Sequence, residues 1–311
     1  MTRTGVCLSE GLPFFTCDVF TETAYAGNPL AIVEDADGLS DAAMQTIARE
    51  FNLSETIFVR SPADPAHTAS VRIFFPTAEI PFAGHPTIGC AIHLALKDAP
   101  EGDFEIRITL QEVAGLVPVQ VWRRDGRLGA EFRAPVLPHA ANTGEMPSRK
   151  AIAAALGLSA EQIGFEGHRP ALWQGGPAFG YVPVRDRAAL AAARPNGAAW
   201  EALCAATGLG SHYLYAPGQE TDFSARMFAP GEGIPEDPAT GSASAILAAQ
   251  LLASGALSEG ETRLVLEQGV DMGRPSRIGL RIQATGGALD SIHVQGSAVP
   301  VSSGRLVSPA A

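Results

Sequence analysis

Three residues stand where a proton could be moved: Glu55, His85 and Asp237. His85 directly follows Gly84, and Asp237 lies shortly before Gly241; each glycine opens a run of small apolar residues that reads as a helix. The first N–H groups of a helix are unpaired donors, and the peptide dipoles add about half a positive charge there. A glycine at that place lets a ligand approach the backbone closely. Two such helix mouths, facing each other across an interface between lobes, could hold a small carboxylate with backbone donors and no lysine. Glu55 stands in Asn52-Leu53-Ser54-Glu55-Thr56, after one helix and at the head of an apolar strand. Carried into the interior, such a carboxyl has its pKa raised toward the range useful for a proton shuttle. Each residue also has a plainer reading: a histidine satisfied within the fold, an aspartate that caps a helix, a solvated glutamate.

Other chemistries find less support. The sequence contains no P-loop, H-E-x-x-H, G-x-S-x-G or EF-hand pattern. Cys90 and His93 are close in sequence but sit inside an apolar helical run, where packing explains them better than zinc. The four cysteines, Cys7, Cys17, Cys90 and Cys204, form no C-x-x-C, and a chain this large needs no disulfide to fold. Cys17 lies in a strand-like run and reads as core. With only Lys97 and Lys150 as lysines, few side chains could form a Schiff base with a pyridoxal group.

The elements that must position these residues come in two echoing sets. Arg72-Ile73-Phe74 precedes Glu79-Ile80-Pro81-Phe82-Ala83-Gly84, and Arg226-Met227-Phe228 precedes Glu236-Asp237-Pro238-Ala239-Thr240-Gly241. Both read R-x-F, a short loop, E-x-P-x-x-G, then an apolar helix, over Ile80–Leu96 in the first case and within Pro238–Ser258 in the second. The two glycines are 157 residues apart, half of the 311-residue chain, which suggests duplicated domains, since solenoid repeats run about 20–50 residues. Strands are expected at Phe14–Phe20, Ala31–Val33, Ile57–Val59, Val71–Phe75, Phe104–Leu110, Val117–Trp122 and Leu128–Phe132, the last two joined by a turn at Asp125-Gly126. The second half offers Tyr181–Val184, His212–Ala216, Ala225–Phe228, Arg263–Glu267, Arg277–Ile282 and Ser291–Gln295. Helices are expected at Asp41–Phe51 behind Ser40, at Arg149–Leu156 behind Ser148, and around Trp200–Thr207.

The expected fold is α+β: two pseudo-symmetric lobes, each a curved, mostly antiparallel, barrel-like sheet wrapped round a central apolar helix. The lobes are drawn at residues 1–133 and 134–298, with residues 299–311 free to rejoin the first and the Pro-rich stretch Ala134–Pro147 as the crossover. One large α/β domain is the alternative, but regular strand–helix alternation and a G-x-G-x-x-G after the first strand are missing. Charge narrows the partners. At 46% hydrophobic and 18% charged residues, the chain can bury a sizeable core. A net charge of -11 provides no basic stripe for nucleic acid. The uncharged stretch Pro238–Ser258 approaches the length of a bilayer span, but its Ala, Ser, Gly and Thr content favours a helix buried on every side. No membrane association and no signal peptide are read, and a reducing cytoplasmic setting is expected.

Several ordered blocks resemble one family. Asp18-Val19-Phe20 with Gly27-Asn28-Pro29-Leu30-Ala31, Asn52–Thr56, Pro81–Thr87, Arg226–Pro230, Glu236–Ala243, Gln268-Gly269 and Gly273–Ser276 are similar to the PhzF-like proteins of phenazine biosynthesis, within the diaminopimelate-epimerase-like fold. The resemblance runs nearly end to end. It implies two lobes with the active site between them, a homodimer, and an isomerase that needs neither cofactor nor metal, as in trans-2,3-dihydro-3-hydroxyanthranilate isomerase. It implies Glu55 as the acid/base, His85 and Asp237 as its partners, and Asn28, Ser54, Gly84, Gly241 and Ser242 as contacts for a small carboxylate substrate. Epimerases of the same fold carry a cysteine just before each helix glycine; here those places hold Ala83 and Thr240, which removes the two-thiol mechanism. Beside the one-base isomerase stand two other readings: an epimerase, racemase or lyase acting on an amino-acid-like substrate, and a non-catalytic small-molecule-binding protein.

Overall fold

The computed structural model describes residues 11–307 and Pro309. Cys7 and the rest of the ten residues ahead of Gly11 lie outside the described residues, as do Ser308, Ala310 and Ala311 of the tail. The chain forms two compact units: the described residues up to Phe132 with those from Gly296 onward, and Arg133–Gln295.

The first unit contains strands β1 (Leu12–Val19), β2 (Asn28–Val33), β3 (Glu55–Arg60), β4 (Ala69–Phe74), β5 (Glu79–Ile80), β6 (Phe104–Glu112), β7 (Gly115–Arg124) and β8 (Arg127–Arg133), with helices α1 (Asp41–Phe51) and α2 (Gly84–Asp98). The last strand of the chain, Ala298–Leu306, pairs antiparallel with β1. From that strand the order runs β1, β2, β3, β4, β6, β7, β8. Only the β2–β3 and β4–β6 pairings are parallel. Helix α2 touches β1, β2, β3, β6, β7 and the last strand. Contact with strands from both ends of this order means that the sheet curves around it. An apolar helix must bury its whole circumference, and α2 does so: from Gly84 through Ile92 every residue is buried.

Local rules account for the supporting elements. Ser40 Oγ accepts from the Ala43 N–H at the start of α1, and Met44, Ile47 and Ala48 of that helix face β2, β3 and β4. Asp125 and Gly126 both take positive φ between β7 and β8, the two-residue turn whose twist suits a hairpin.

The second unit repeats the scheme. Its strands are β9 (His139–Ala140), β10 (Ala171–Gln174), β11 (Ala178–Pro183), β12 (His212–Pro217), β13 (Phe223–Ala229), β14 (Ile234–Asp237), β15 (Gly260–Gln268), β16 (Ser276–Thr285) and β17 (Ala288–Gly296). Its helices are α3 (Arg149–Leu156), α4 (Arg187–Ala192), α5 (Gly197–Thr207) and α6 (Gly241–Ala253). The order β9, β10, β11, β12, β13, β15, β16, β17 has the same succession of directions as the first unit, parallel only at β11–β12 and β13–β15. The last strand of the chain therefore fills, beside β1, the place that β9 fills beside β10. Helix α6 packs against β10, β11 and β16 and buries nearly its full length, while α3, α4 and α5 cover the outer face of β11 and β12.

Both central helices start later than the uncharged runs suggest. Helix α2 begins at Gly84 and α6 at Gly241, because Glu79–Ile80 and Ile234–Asp237 are extended and hydrogen-bonded to β4 and β13. Among the described residues no helix is long and apolar enough to cross a membrane.

Candidate active site

Each helix mouth is held by a clamp built from the repeated R-x-F and E-x-P residues. In the first unit Arg72 donates from Nε and Nη2 to the two oxygens of Glu79, both at 2.6 Å, and from Nη1 to Asp41 at the start of α1. Its guanidinium lies 5.2 Å from the centre of the Phe74 ring. In the second unit Arg226 makes the same fork to Glu236, at 2.7 and 2.8 Å, with its guanidinium 4.7 Å from the Phe228 ring. Its Nη1 donates to the carbonyls of Leu190 and Ala193, the open end of α4. A planar fork matched to a carboxylate fixes direction as well as distance. The loops that lead into Gly84 and Gly241 therefore leave their strands at set angles.

In the first unit the structure brings Asn28, Glu55 and His85 together. Asn28 is the first residue of β2, Glu55 the first of β3 and His85 the second of α2. His85 Nδ1 lies 3.3 Å from Glu55 Oε2 and 3.3 Å from Asn28 Nδ2. All three side chains are buried, and His85 Nε2 has no hydrogen-bond partner among the described residues. Burial pushes the His85 imidazole down to about 3, so it is neutral at physiological pH. Ser54 is half-buried and precedes Glu55 at the head of β3. The loop before Asn28 is tightly made. The Tyr25 N–H donates to the buried Asp18 carboxylate at 2.6 Å, and a Cβ at Gly27, where φ is +66°, would lie 2.3 Å from the Val19 carbonyl oxygen.

In the second unit Asp237 ends β14 and does not cap α6. Its buried carboxylate accepts from Thr240 Oγ1 at 2.6 Å. Gln268, fully buried at the end of β15, donates from Nε2 to the Asp237 carbonyl and to Thr240 Oγ1, and its Oε1 accepts from the Thr240 N–H. One amide thus ties the whole turn from Asp237 to Thr240. Gly269 follows with φ +75°, where a Cβ would lie 2.6 Å from the Pro238 carbonyl oxygen. Gly241 is buried as the first residue of α6, and Ser242 after it is half-buried.

Sequence reasoning gave Thr87 and Gln268 only as parts of motifs, noted Thr240 only as a place that lacks cysteine, and passed over Glu112. Thr87 Oγ1 bonds the Ala83 carbonyl and Glu112 Oε1, both at 2.7 Å. The signal was present at Thr240, which holds the place just before the helix glycine. It was absent at Glu112, one residue in an alternating strand. Burial pushes Cys17 up to about 12 and Cys90 well above the usual thiol range, so neither supplies a thiolate at neutral pH. Among the described residues no group of three His, Cys, Asp or Glu side chains could hold a metal ion.

Comparison with known proteins places the chain among relatives along almost its whole length. The profile of the family described as phenazine biosynthesis-like protein matches residues 17–304. An uncharacterized isomerase of Mesorhizobium japonicum is 45% identical over 295 residues, covering 93% of this chain and 96% of that one. The trans-2,3-dihydro-3-hydroxyanthranilate isomerase of Pseudomonas aeruginosa is 36% identical over 293 residues, covering 94% of this chain and 98% of that one. The crystal structure of a Bacillus anthracis phenazine biosynthesis protein of the PhzF family superposes with a TM-score of 0.83 at 25% identity, over 96% of this chain and 99% of that one.

Proposed function

The chain belongs to the phenazine biosynthesis-like family and is an isomerase of PhzF type, and from that premise we propose that it moves a proton between two carbons of a small unsaturated ring carboxylic acid, of the trans-2,3-dihydro-3-hydroxyanthranilate class, with Glu55 as the single acid/base and no cofactor. The observation that carries this reading is the buried Glu55–His85–Asn28 group beside the start of α2. The Glu55 carboxylate takes a proton from one ring carbon, the double bond shifts, and the proton on Glu55 returns to a second carbon. No proton or electron is gained overall, so the site needs no co-reactant. The Gly84 N–H and the dipole of α2 hold the substrate carboxylate and the charge that develops as the proton leaves.

His85 responds to Glu55 in this scheme. A neutral imidazole has one ring proton, and Nδ1 is within reach of both Glu55 and Asn28. While Glu55 is ionised, Nδ1 carries the proton and donates to it. Asp237, Gly241 and Ser242 are proposed to serve the same turnover, with Ser54 as a further substrate contact. The two-thiol epimerase route is disfavoured by Ala83 and Thr240 at the places that would need cysteine and by the neutral Cys17 and Cys90. A homodimer in the cytoplasm, without nucleic acid, belongs to the same proposal.

The test is turnover of trans-2,3-dihydro-3-hydroxyanthranilate in deuterated water, read by NMR. Glu55→Gln should lower kcat by about two to four orders of magnitude, the loss expected of a proton-transfer group, while still binding anthranilate. Asp237→Asn should reduce kcat by a smaller factor. Full turnover by Glu55→Gln would overturn the assignment, and binding without any exchange at carbon in the unaltered protein would favour a non-catalytic binder.

A further inference from the structure

Thr87 Oγ1 lies 2.7 Å from the Ala83 carbonyl oxygen and 2.7 Å from Glu112 Oε1, and a hydroxyl has one hydrogen to give. The carbonyl can only accept. Both contacts are hydrogen bonds if Thr87 donates to Ala83 and Glu112, as the neutral acid, donates to Thr87. Glu112 is 5% exposed, a place where an ionised carboxylate without a cation beside it is costly.

The second unit holds an uncharged side chain at the place that matches Glu112. Ser70 of β4 pairs with Gln111 of β6, and Ser224 of β13 pairs with Glu267 of β15. The next residue along β6 is Glu112 and along β15 is Gln268. Thr87 and Ser244 stand at matching places, each bonding from Oγ the carbonyl four residues back, Ala83 at 2.7 Å and Thr240 at 2.9 Å. Gln268 donates from its amide to Thr240 and to the Asp237 carbonyl, and the isosteric side chain at that place in the first unit, Glu112, reaches Thr87 instead.

The Ala83 carbonyl and the Gly84 N–H belong to one planar peptide group and point in opposite directions. Holding the carbonyl therefore sets the line of the N–H. We propose that Glu112 is a positioning residue for the start of α2: as a neutral acid it donates to Thr87, Thr87 holds the Ala83 carbonyl, and the Gly84 N–H is thereby aimed out of the helix. That this N–H meets a substrate carboxylate rests on the function proposed above; the protonation of Glu112 does not. When Glu112 ionises, Thr87 turns its only hydrogen to the carboxylate and the Ala83 carbonyl loses that bond. The titratable group facing Glu112 from α2 is Cys90, with Cys17 of β1 beyond it, and burial keeps both thiols neutral. The adjoining positions on β4 and β7 hold Ser70 and Gly115, which do not titrate. Burial pushes the Glu112 carboxyl up to about 8, so the switch falls at the alkaline edge of the physiological range.

The test uses the full chain labelled with [13Cδ]glutamate and [15N]glycine, with the variants Glu112→Gln, Glu112→Ala and Thr87→Val. The carboxyl resonance missing from Glu112→Gln should titrate near pH 8, and the Gly84 amide should shift with the same midpoint. In Glu112→Gln the Gly84 amide should stay still from pH 6 to 9; in Thr87→Val and Glu112→Ala it should be displaced at every pH. Turnover of the dihydro acid should fall about fivefold above pH 8, the worth of one hydrogen bond, and Glu112→Gln but not Glu112→Ala should remove that fall. A carboxyl midpoint below pH 6, or a Gly84 amide that ignores the titration, would overturn the proposal. Both readings need no substrate, so they stand apart from the Glu55→Gln experiment.

Discussion

A neutral Glu112 has a thermodynamic signature that Glu112→Gln should erase. The folded protein holds this carboxyl at about 8 against an ordinary 4.5. Below pH 4.5 the folded and unfolded chains both carry the proton, and the group adds no pH dependence. Between pH 4.5 and 8 the folded chain keeps the proton and the unfolded chain has released it, so stability falls as pH rises, by about 1.4 kcal/mol per pH unit. Above pH 8 the slope vanishes. Across the whole window this amounts to on the order of 5 kcal/mol, and about 3 kcal/mol between pH 5.5 and 8. Glutamine keeps the shape and the donor without the titration, and every other group contributes alike to both proteins. The gap in urea-unfolding free energy between Glu112→Gln and the unaltered chain, followed by circular dichroism at pH 5.5, 6.5, 7.5 and 8.5, should therefore widen steadily in favour of the glutamine variant. Profiles that stay parallel within about 1 kcal/mol over that range, less than the linkage for a single pH unit, would refute a protonated Glu112 and with it the proton count at Thr87.

The clamps should differ in weight. Arg226→Ala should cost roughly 3–5 kcal/mol in urea unfolding, because it strands the partly buried Glu236 and the carbonyls of Leu190 and Ala193; Arg72→Ala should cost nearer 1–2 kcal/mol, since Glu79 and the exposed Asp41 regain water. Gly89→Ala should destabilise by about 1–3 kcal/mol despite the better helix propensity, since its Cβ would lie 2.6 Å from Leu30 Cδ2 and 2.8 Å from Val19 Cγ2; thermal melting checks the sign. The imidazole 15N shifts of His85 should remain those of a neutral ring from pH 8 down to about pH 4, because burial holds its pKa near 3. That depression also means His85 opposes folding progressively as pH falls from 6.5 toward 3.

What could be read from the sequence was whatever its local pattern repeats. The R-x-F and E-x-P-x-x-G blocks carry their own partners within a few residues, so the Arg72–Glu79 and Arg226–Glu236 pairs and the two helix starts were legible as an echo. Helix α4 was equally local and was overlooked, though Asp186 caps it through the Ala189 N–H at 2.8 Å. The last strand and β10 were harder. Ala298–Leu306 owes its place to β1, on the far side of the whole sequence, and its pairing slips at a bulge between Thr16 and Cys17, which blurs the alternation that marks a strand. Glu112 was invisible for a related reason. It is one more residue in an alternating strand until α2 covers the end of β6.

Set side by side, the two units keep the frame and change the positions that could do chemistry. The clamps match, Arg72 with Arg226 and Glu79 with Glu236, and the order of strand directions is the same. At the mouths the residues part: Ala83 against Thr240, His85 against Ser242, Glu112 against Gln268. The register of β3 on β4 and of β12 on β13 sets Thr56 against His212, and hence Glu55 against Ser211. The first unit has a carboxylate beside a neutral imidazole where the second has two hydroxyls, and the second adds Asp237 where the first has Ile80. A frame with the same strand directions therefore presents a carboxylate beside a neutral imidazole in one copy and hydroxyls with a differently placed carboxylate, Asp237, in the other. The one-base proton shift proposed above fits that asymmetry, because a two-base epimerase would need equivalent bases in the two copies.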